Sequence, residues 1–450
     1  MENYMFGINM AGIEINVFGV IIALALSIFL IIRKLNPALS MFLGVSVGAV
    51  IGMIGSPGGI NLNHMLDIVV VGGRQVVGIN IRIIAGGVLA GALIETGAAE
   101  SIARGIVKGL GEKRAILAIA LSAMLVTAVG VFIPVAMLVV APVALSVAYK
   151  SNISKFAAIL AISGGGKAGN IISPNPNTLA AASAFDVSLS QLMINGFIPG
   201  MVALIATVAL CGLYKNNKKH FAVKDEDIDD ADTGNLPPFG KAIVAPIISI
   251  GLLMLNPIGD IAGISFISSE VLPMDPFYVL PFGAVVGIIV MGKGKQAFDI
   301  ATKGALRMAP VVLMLFGAGA IGGLIAVSEV PGMIGGALDT MGVPAEFLAP
   351  LSSTIFSSAA GSNAAGVIVG GDAFGAQILA TGVAPMAAAV MLHAGGGFLD
   401  IVPHGNIFLA SQQAMKATMS ERLKVMPLEA VVGGAMTLTA VLMWLLGFWG

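Results

Sequence analysis

The chain has 450 residues, 57% of them hydrophobic and 10% charged, with a net charge of −1, and its mean hydropathy is +0.98. That balance excludes a soluble domain with an ordinary polar surface and leaves a multi-pass membrane protein, all-α in class. No basic patch with interleaved aromatics offers a nucleic-acid surface, and a single cysteine, Cys211, excludes an intrachain disulfide or a cysteine-built metal site.

The first apolar run, about residues 15–32, is preceded by Glu2 and Glu14 rather than a basic segment, so it reads as a retained helix and not a cleaved signal. Arg33 and Lys34 follow it, and the preference of basic residues for the cytoplasmic side then puts the amino terminus outside. A second run returns near Gly52, and a third, about 79–97, ends before Arg104, Lys108, Lys113 and Arg114. The stretch from Ala115 to Tyr149 has basic residues beyond both ends, while its middle, Thr127 to Pro134, is too apolar for a loop in water. It reads as a re-entrant hairpin, with two full crossings as the alternative. A glycine-rich segment crosses outward over about 156–186; Gly164, Gly165 and Gly166 are expected to break its helix, and Pro174 and Pro176 to keep it open. A last run, about 192–214, returns to Lys215, Lys218 and Lys219. Residues 215–240, with the acidic cluster Asp225, Glu226, Asp227, Asp229, Asp230 and Asp232, read as a mobile cytoplasmic linker.

The second half repeats the first. Gly91 and Gly322, Gly111 and Gly342, Gly130 and Gly361, and Gly164 and Gly395 are each 231 residues apart. Five crossings per copy make the second copy inverted, and the flanks agree. Its outer loops hold Asp260, Glu270, Asp275, Glu329, Asp339 and Glu346; its inner flanks hold Lys293, Lys295, Lys303, Arg307, Lys416, Arg422 and Lys424. The expectation is therefore a first repeat over 1–214, the linker over 215–240 and an inverted repeat over 241–450. Each repeat has about five transmembrane helices, one re-entrant hairpin and one glycine/proline-broken helix. Both termini lie outside a bacterial-type plasma membrane, and the sequence leaves monomer and homodimer open.

Broken helices free backbone groups that lipid cannot satisfy, and their amino ends suit an anion. The first break and hairpin tip offer Asn170, Ser173, Asn175, Asn177, Thr178 and Thr127; the second offer Ser362, Asn363, Asp400, His404 and Asn406. Ionisable residues in such segments are functional candidates by default. Lys167 and Asp400 occupy equivalent breaks and read as a pair across the pseudo-twofold axis, either exchanging a proton or locking the breaks together. Asp372 reads as a coupling group or a solvated hairpin end, and His393 as a core histidine. A metal site built from His393, Asp400 and His404 lacks any fixed helical face, and Ser362 with His404 lacks a nucleophile elbow, so metal centre and intramembrane enzyme are the weaker readings. A channel is weaker too, since the small-residue runs suit close helix packing.

The stretch from Gly86 through Gly91-Ala-Leu-Ile-Glu-Thr-Gly97, the hairpin with Gly130 and Pro142, and Ile172-Ser-Pro-Asn-Pro-Asn-Thr178 resembles the gluconate:proton symporter family, GntP, of the ion-transporter superfamily. Where those carriers have Leu-Pro-Pro-His-Pro-Gly-Pro-Thr, this chain keeps Pro174, Pro176 and Thr178 and has Asn175 at the histidine position. Ile133-Pro134 stands where the family tends to have Tyr-Glu, Gly361-Ser362-Asn363 resembles its Gly-Ser-Ala-Thr tip, and Leu399 to His404 replaces its His-Val-Asn-Asp. The resemblance implies a proton-coupled carrier of a small hydroxylated carboxylate, working by elevator-like movement and needing no cofactor beyond its coupling ion. Our reading of the residues assigns Lys167, Ser362 and Asn363 to the carboxylate, and Asn175, Asn177 and Thr178 to the hydroxyls. Asn170 and Thr127 join them as binding candidates, and Asp400, His404 and Asp372 take the proton. Sodium coupling, a di- or tricarboxylate and a small amino acid remain open.

Overall fold

A computed structural model describes residues 4–5, 8–9, 13–33, 35–56, 59–214, 216, 221–224, 227, 236–268, 271–330, 344–403 and 405–449. The described chain is helical apart from a two-residue antiparallel pairing of Tyr4–Met5 with Ile8–Asn9 and an isolated bridge between Ile15 and Ser328. Among the described residues, six helical stretches are long and apolar enough to cross a membrane.

In the first half the helices are α1 (Val17–Ile32), α2 (Pro37–Gly52), α3 (Leu62–Gln75), α4 (Val77–Glu95), α5 (Ala98–Leu110), α6 (Ala115–Ala128), α7 (Ile133–Lys150), α8 (Lys155–Asn170), α9 (Pro176–Ala184), α10 (Leu189–Asn195) and α11 (Phe197–Tyr214). After residues 215–238 come α12 (Phe239–Ala242), α13 (Val244–Ala262), α14 (Pro276–Val290), α15 (Ala297–Arg307), α16 (Ala309–Ala326), α17 (Leu348–Ala360), α18 (Asn363–Ala380), α19 (Pro385–Gly396), α20 (Asn406–Ala414) and α21 (Met419–Leu445). Long apolar runs make the helices, and asparagine, serine, aspartate and threonine caps start several of them: Asn16, Asn36, Asn61, Ser154, Asn175, Asp275 and Thr418 each accept a backbone N–H of the first turn.

The order of elements recurs at the offset read from the glycines. α7 begins at Ile133 and α18 at Asn363; α9 begins at Pro176 and α20 at Asn406; α4 begins at Val77 and α16 at Ala309. Packing recurs by exchange between halves. α3 packs on α16 while its counterpart α15 packs on α4, α2 packs on α16 while α14 packs on α4, and α7 meets α20 while α18 meets α9. Helices α3, α5 and α15 are additional to the crossings expected from hydropathy. Polar residues along one face, such as Asn63, Asp67 and Arg74 on α3, made that stretch read as a connection.

Two further expectations are corrected. Gly164, Gly165 and Gly166 do not break α8, which stays helical to Asn170. A Cβ on Gly165 would stand 2.1 Å from Ala120 O and one on Gly169 2.0 Å from Met124 O, so these glycines let α6 lie against α8. The break itself falls at residues 171–175, under Pro174 and Pro176. The linker is docked in part: Asp227 forms a buried ion pair with Lys155 at 2.8 Å, and Phe221 packs edge-on against Phe156 at 5.2 Å. At its far end Pro237 O accepts from Ser101 Oγ at 2.6 Å.

Candidate functional site

Each half turns a hairpin on a glycine that only a residue without Cβ adopts easily. Gly130 has φ 101° and Gly361 φ 63°, which ends the first arm and starts the second. A threonine in the first arm ties the hairpin to the neighbouring broken helix: Thr127 Oγ1 donates to Gly166 O at 3.0 Å, and Thr354 Oγ1 to Gly395 O at 2.9 Å. The second tip is also tied to its break, because Asn406 N donates to Gly361 O at 3.0 Å.

The four elements meet at a pocket lined by Phe132, Ile133 and Pro134, by Asn170 and Asn177, by Ser362, Asn363 and Ala364, and by Asn406 and Ile407. These residues are the first turns of α7, α9, α18 and α20, with the last turn of α8. Four helix amino termini therefore converge on one small pocket. At three of them, capped by Phe132, Ser362 and Gly405, no cap side chain takes up the first-turn N–H groups. Helix amino ends carry partial positive charge, so this arrangement suits an anion. Asn177 Oδ1 and Asn363 Oδ1 have no hydrogen-bond partner among the described residues, although both side chains are buried. Such acceptors fit hydroxyl donors on a bound solute.

A cavity of about 540 Å³ adjoins this pocket, sharing Phe132, Ser362, Ala364 and Asn406 with it. Its other wall is α2, α4 and α16, through Pro37, Ala90, Met308 and Val311, with Arg307 at the rim. The volume lies in the range of small-molecule sites.

Of the binding candidates, Asn170, Asn177, Ser362 and Asn363 line the pocket and Lys167, Asn175, Thr178 and Thr127 do not. Asn175 is engaged at both ends of its amide. Its Oδ1 accepts from Asn177 N at 2.7 Å and Thr178 N at 3.2 Å, and its Nδ2 donates to Asn170 O and Ser173 Oγ, each at 2.6 Å. It shapes the first break. Thr178 Oγ1 donates to Asn170 O at 3.4 Å, and Thr127 spends its hydroxyl on backbone carbonyls. Lys167 lies behind the pocket in an ion pair with Asp400, and its Nζ also donates to Gly397 O at 2.5 Å. Both side chains are almost wholly buried. Asp400 Oδ2 has no partner among the described residues.

Asp372 lies along α18, away from the pocket lining, with Oδ2 unpartnered among the described residues. His404 lies outside the described residues. Two participants were not expected from the sequence. His393 touches the site, its Nε2 3.1 Å from Asn170 Nδ2; with the amide nitrogen donating, Nε2 is the acceptor. Phe132 contributes an apolar wall at the offset position of Asn363. Outside the pocket, Arg422, read from the sequence as part of an inner flank, is fully buried against Glu429. The prolines at the starts of α7 and α9 were the available signal for the converging termini, since proline favours a first helical turn.

A multi-pass helical protein with discontinuous helices meeting at a polar pocket is a membrane solute carrier. Residues 15–447 match the GntP family permeases, and the chain belongs to that family. An uncharacterized transporter of Haemophilus influenzae is 40% identical over 95% of this chain and 98% of its own length. The high-affinity gluconate transporter of Escherichia coli is 22% identical, covering 68% of this chain and 70% of its own, and the low-affinity gluconate transporter 26% identical, covering 71% and 73%. The crystal structure of the Alcanivorax borkumensis YdaH transporter aligns with a TM-score of 0.57 at 15% identity, covering 86% of this chain and 89% of that one, a likeness of fold. The protein is thus a multi-pass transporter and not an enzyme.

Proposed function

We propose that this transporter carries a small hydroxylated carboxylate, gluconate or a close relative, in symport with protons. The observation that carries the reading is the convergence of four helix amino termini on a pocket lined by Asn170, Asn177, Ser362, Asn363 and Asn406. The carboxylate sits at the unspent N–H groups of α7, α18 and α20, and the hydroxyls meet the amides. The gluconate transporters among its relatives support the same solute class. Lys167 and Asp400 are the coupling pair: protonation of Asp400 frees Lys167, and the two breaks separate or rejoin accordingly. The cavity lies between the bundle of α6–α11 with α17–α21 and the helices α1–α4 and α13–α16, which is where movement of one group against the other would change access. In this reading the linker is cytoplasmic and both termini are outside, which the basic flanks support.

Sodium is the rival ion, because the unpartnered oxygens of Asn177 and Asn363 are hard ligands. Reconstituted protein given labelled gluconate under an inward proton gradient, with and without sodium, tests the reading. The expected result is accumulation that requires the proton gradient and not sodium. Accumulation driven by sodium alone would overturn proton coupling, and competition by citrate, succinate or alanine but not gluconate would overturn the solute.

A further inference from the structure

A second buried ion pair lies outside the binding pocket. Arg422 and Glu429, on α21, are both 0% exposed. Arg422 Nη1 and Nη2 donate to Glu429 Oε2 at 2.5 Å and Oε1 at 2.9 Å, and its Nε donates to Ser411 Oγ at 2.6 Å. The guanidinium also lies 4.7 Å from the centre of the Phe408 ring. Ser411 and Phe408 belong to α20, whose first turn lines the pocket through Asn406 and Ile407. Arg422 thus braces the helix that carries part of the binding site.

Beyond Glu429, α21 runs on to the second break. Gly433 is one turn further along the same face of α21, and a Cβ there would stand 2.4 Å from Gly397 O and 2.8 Å from Phe398 Cα. That contact sets Glu429 one turn of α21 away from the break that carries Asp400. The elements packed around α21 bring Lys167 and Lys155 from α8 and His393 from α19; α11 and α20 bring no charge. Lys155 is engaged by Asp227 and Lys167 by Asp400. The second break carries Asp400, whose Oδ2 has no partner among the described residues.

The offset positions of Arg422 and Glu429 in the first half are Gln191 and Ile198. The fold shared by both halves therefore does not require the pair. Buried ion pairs are weak contributors to stability, and charges at membrane depth are costly enough to mark function.

We propose that Glu429, held by Arg422, is a second proton-binding group of the transport cycle and exchanges the coupling proton with Asp400. The inference rests on the proton-coupled reading above. In the step, the proton leaves an Asp400 oxygen and its bonding electrons remain on the carboxylate, which re-pairs with Lys167. The same proton joins a Glu429 oxygen, neutralising it and releasing the Arg422 guanidinium. Return of the proton to solvent restores the pair. Because Arg422 also holds α20, protonation of Glu429 is felt at Asn406 in the pocket.

The test uses full-length protein in proteoliposomes with labelled gluconate, read two ways. Counterflow exchange needs no net proton movement; accumulation under an inward proton gradient does. Glu429→Gln is expected to keep exchange and lose accumulation, along with the dependence of accumulation on external pH. The double variant R422M/E429L removes both charges at similar volume and guards against a misfolded single variant; because it also releases the brace on α20, its exchange is expected to weaken while accumulation is lost altogether. Wild type that accumulates alongside E429Q or the double variant that also accumulates overturns this inference alone. Equal loss of exchange and accumulation in both variants overturns it too, by assigning the pair a purely structural role. Wild type that shows no gradient-driven accumulation overturns the proton-coupled reading, and this inference with it.

Discussion

The two broken helices restart at equivalent positions but stop differently. α9 and α20 begin within one residue of the 231-residue offset, whereas α8 continues to Asn170 and α19 ends at Gly396, five positions short of the equivalent 401. The first break is short, uncharged and closed by its own asparagine cap. The second spans residues 397–405, has no side-chain cap on α20, and reaches across to the first through Asp400 and Lys167. At the offset positions Lys167 faces Phe398 and Asp400 faces Gly169, so the charges break the symmetry that the backbone keeps. One half supplies a capped break lined by amides, and the other a longer, uncapped break that carries a carboxylate. A coupled carrier needs both, because the solute must be held while the ion state changes what holds it.

The largest expected effect comes from opening the pair that joins the breaks. Lys167→Ala leaves Asp400 buried and uncompensated, which costs about 3–5 kcal/mol; a thermal melt in detergent should fall accordingly. The double variant Lys167→Met with Asp400→Leu should melt closer to wild type while losing proton-driven accumulation. Equal melting of single and double variants would remove the claim that the pair is mutually dependent.

Packing against the two breaks gives the next test. Gly433→Ala puts a methyl 2.4 Å from Gly397 O and must push α21 off the second break; overpacking of this kind costs about 1–3 kcal/mol. At the first break the close approach is made by Gly196 and Gly200, where a Cβ would stand 2.6 Å from Ile171 O and 2.8 Å from Ala168 O. Transport by G433A should fall more than its stability, and an unchanged transport rate would show that the second break does not need this contact.

Smaller effects separate shaping from binding. Asn175→Ala removes the cap of α9 and should cost about 1 kcal/mol of stability, with little change in which solutes compete. Asn177→Ala and Asn363→Ala should do the reverse, weakening apparent affinity at unchanged melting temperature. The reverse pattern, read by competition and thermal melts together, would exchange the roles assigned here.

The smallest effect lies at the end of α4 remote from the cavity. Asp275 accepts from Arg82 Nη2 at 2.7 Å and from Nε at 3.0 Å. Burial alone would raise its carboxyl, but the Arg82 hydrogen bonds and charge and the Phe277 N–H outweigh it and hold the group below its ordinary value. A carboxyl depressed on folding contributes stability above its unfolded value, about 3.9, and loses it as pH falls through the lower folded value. The pair is partly exposed, so the loss is expected to be under about 1 kcal/mol. Comparing wild type with Asp275→Asn in melts between neutral and acid pH reads it.

Much of this organisation was legible in the residues. Gly130 and Gly361 located both hairpin tips because positive φ has a strong residue preference, and Pro174, Pro176 and Pro403 marked both breaks. The glycine triplets misled because they do different work in each half. In α8 Gly165 admits α6 and Gly164 admits Thr207 of α11 while the helix continues; in α19 the helix stops among them. Hydropathy also could not separate Arg422 from a surface flank, since a buried charge is told from an exposed one only by its partner, here seven residues along. Asn175 was legible as polar and near the site, but not as a cap whose amide is already spent on the backbone.

The central claim is that solute binds among the four helix termini, next to the cavity. Cys211 is the only native cysteine and is 0% exposed, so Ser362→Cys provides one reactive thiol at the second tip. Its labelling by a charged maleimide, applied from the side that carries Arg33 and Arg307, should be slowed by gluconate in a saturable way, with half-protection near the concentration that half-saturates transport. A thiol that labels at the same rate with and without transported solute would contradict the account.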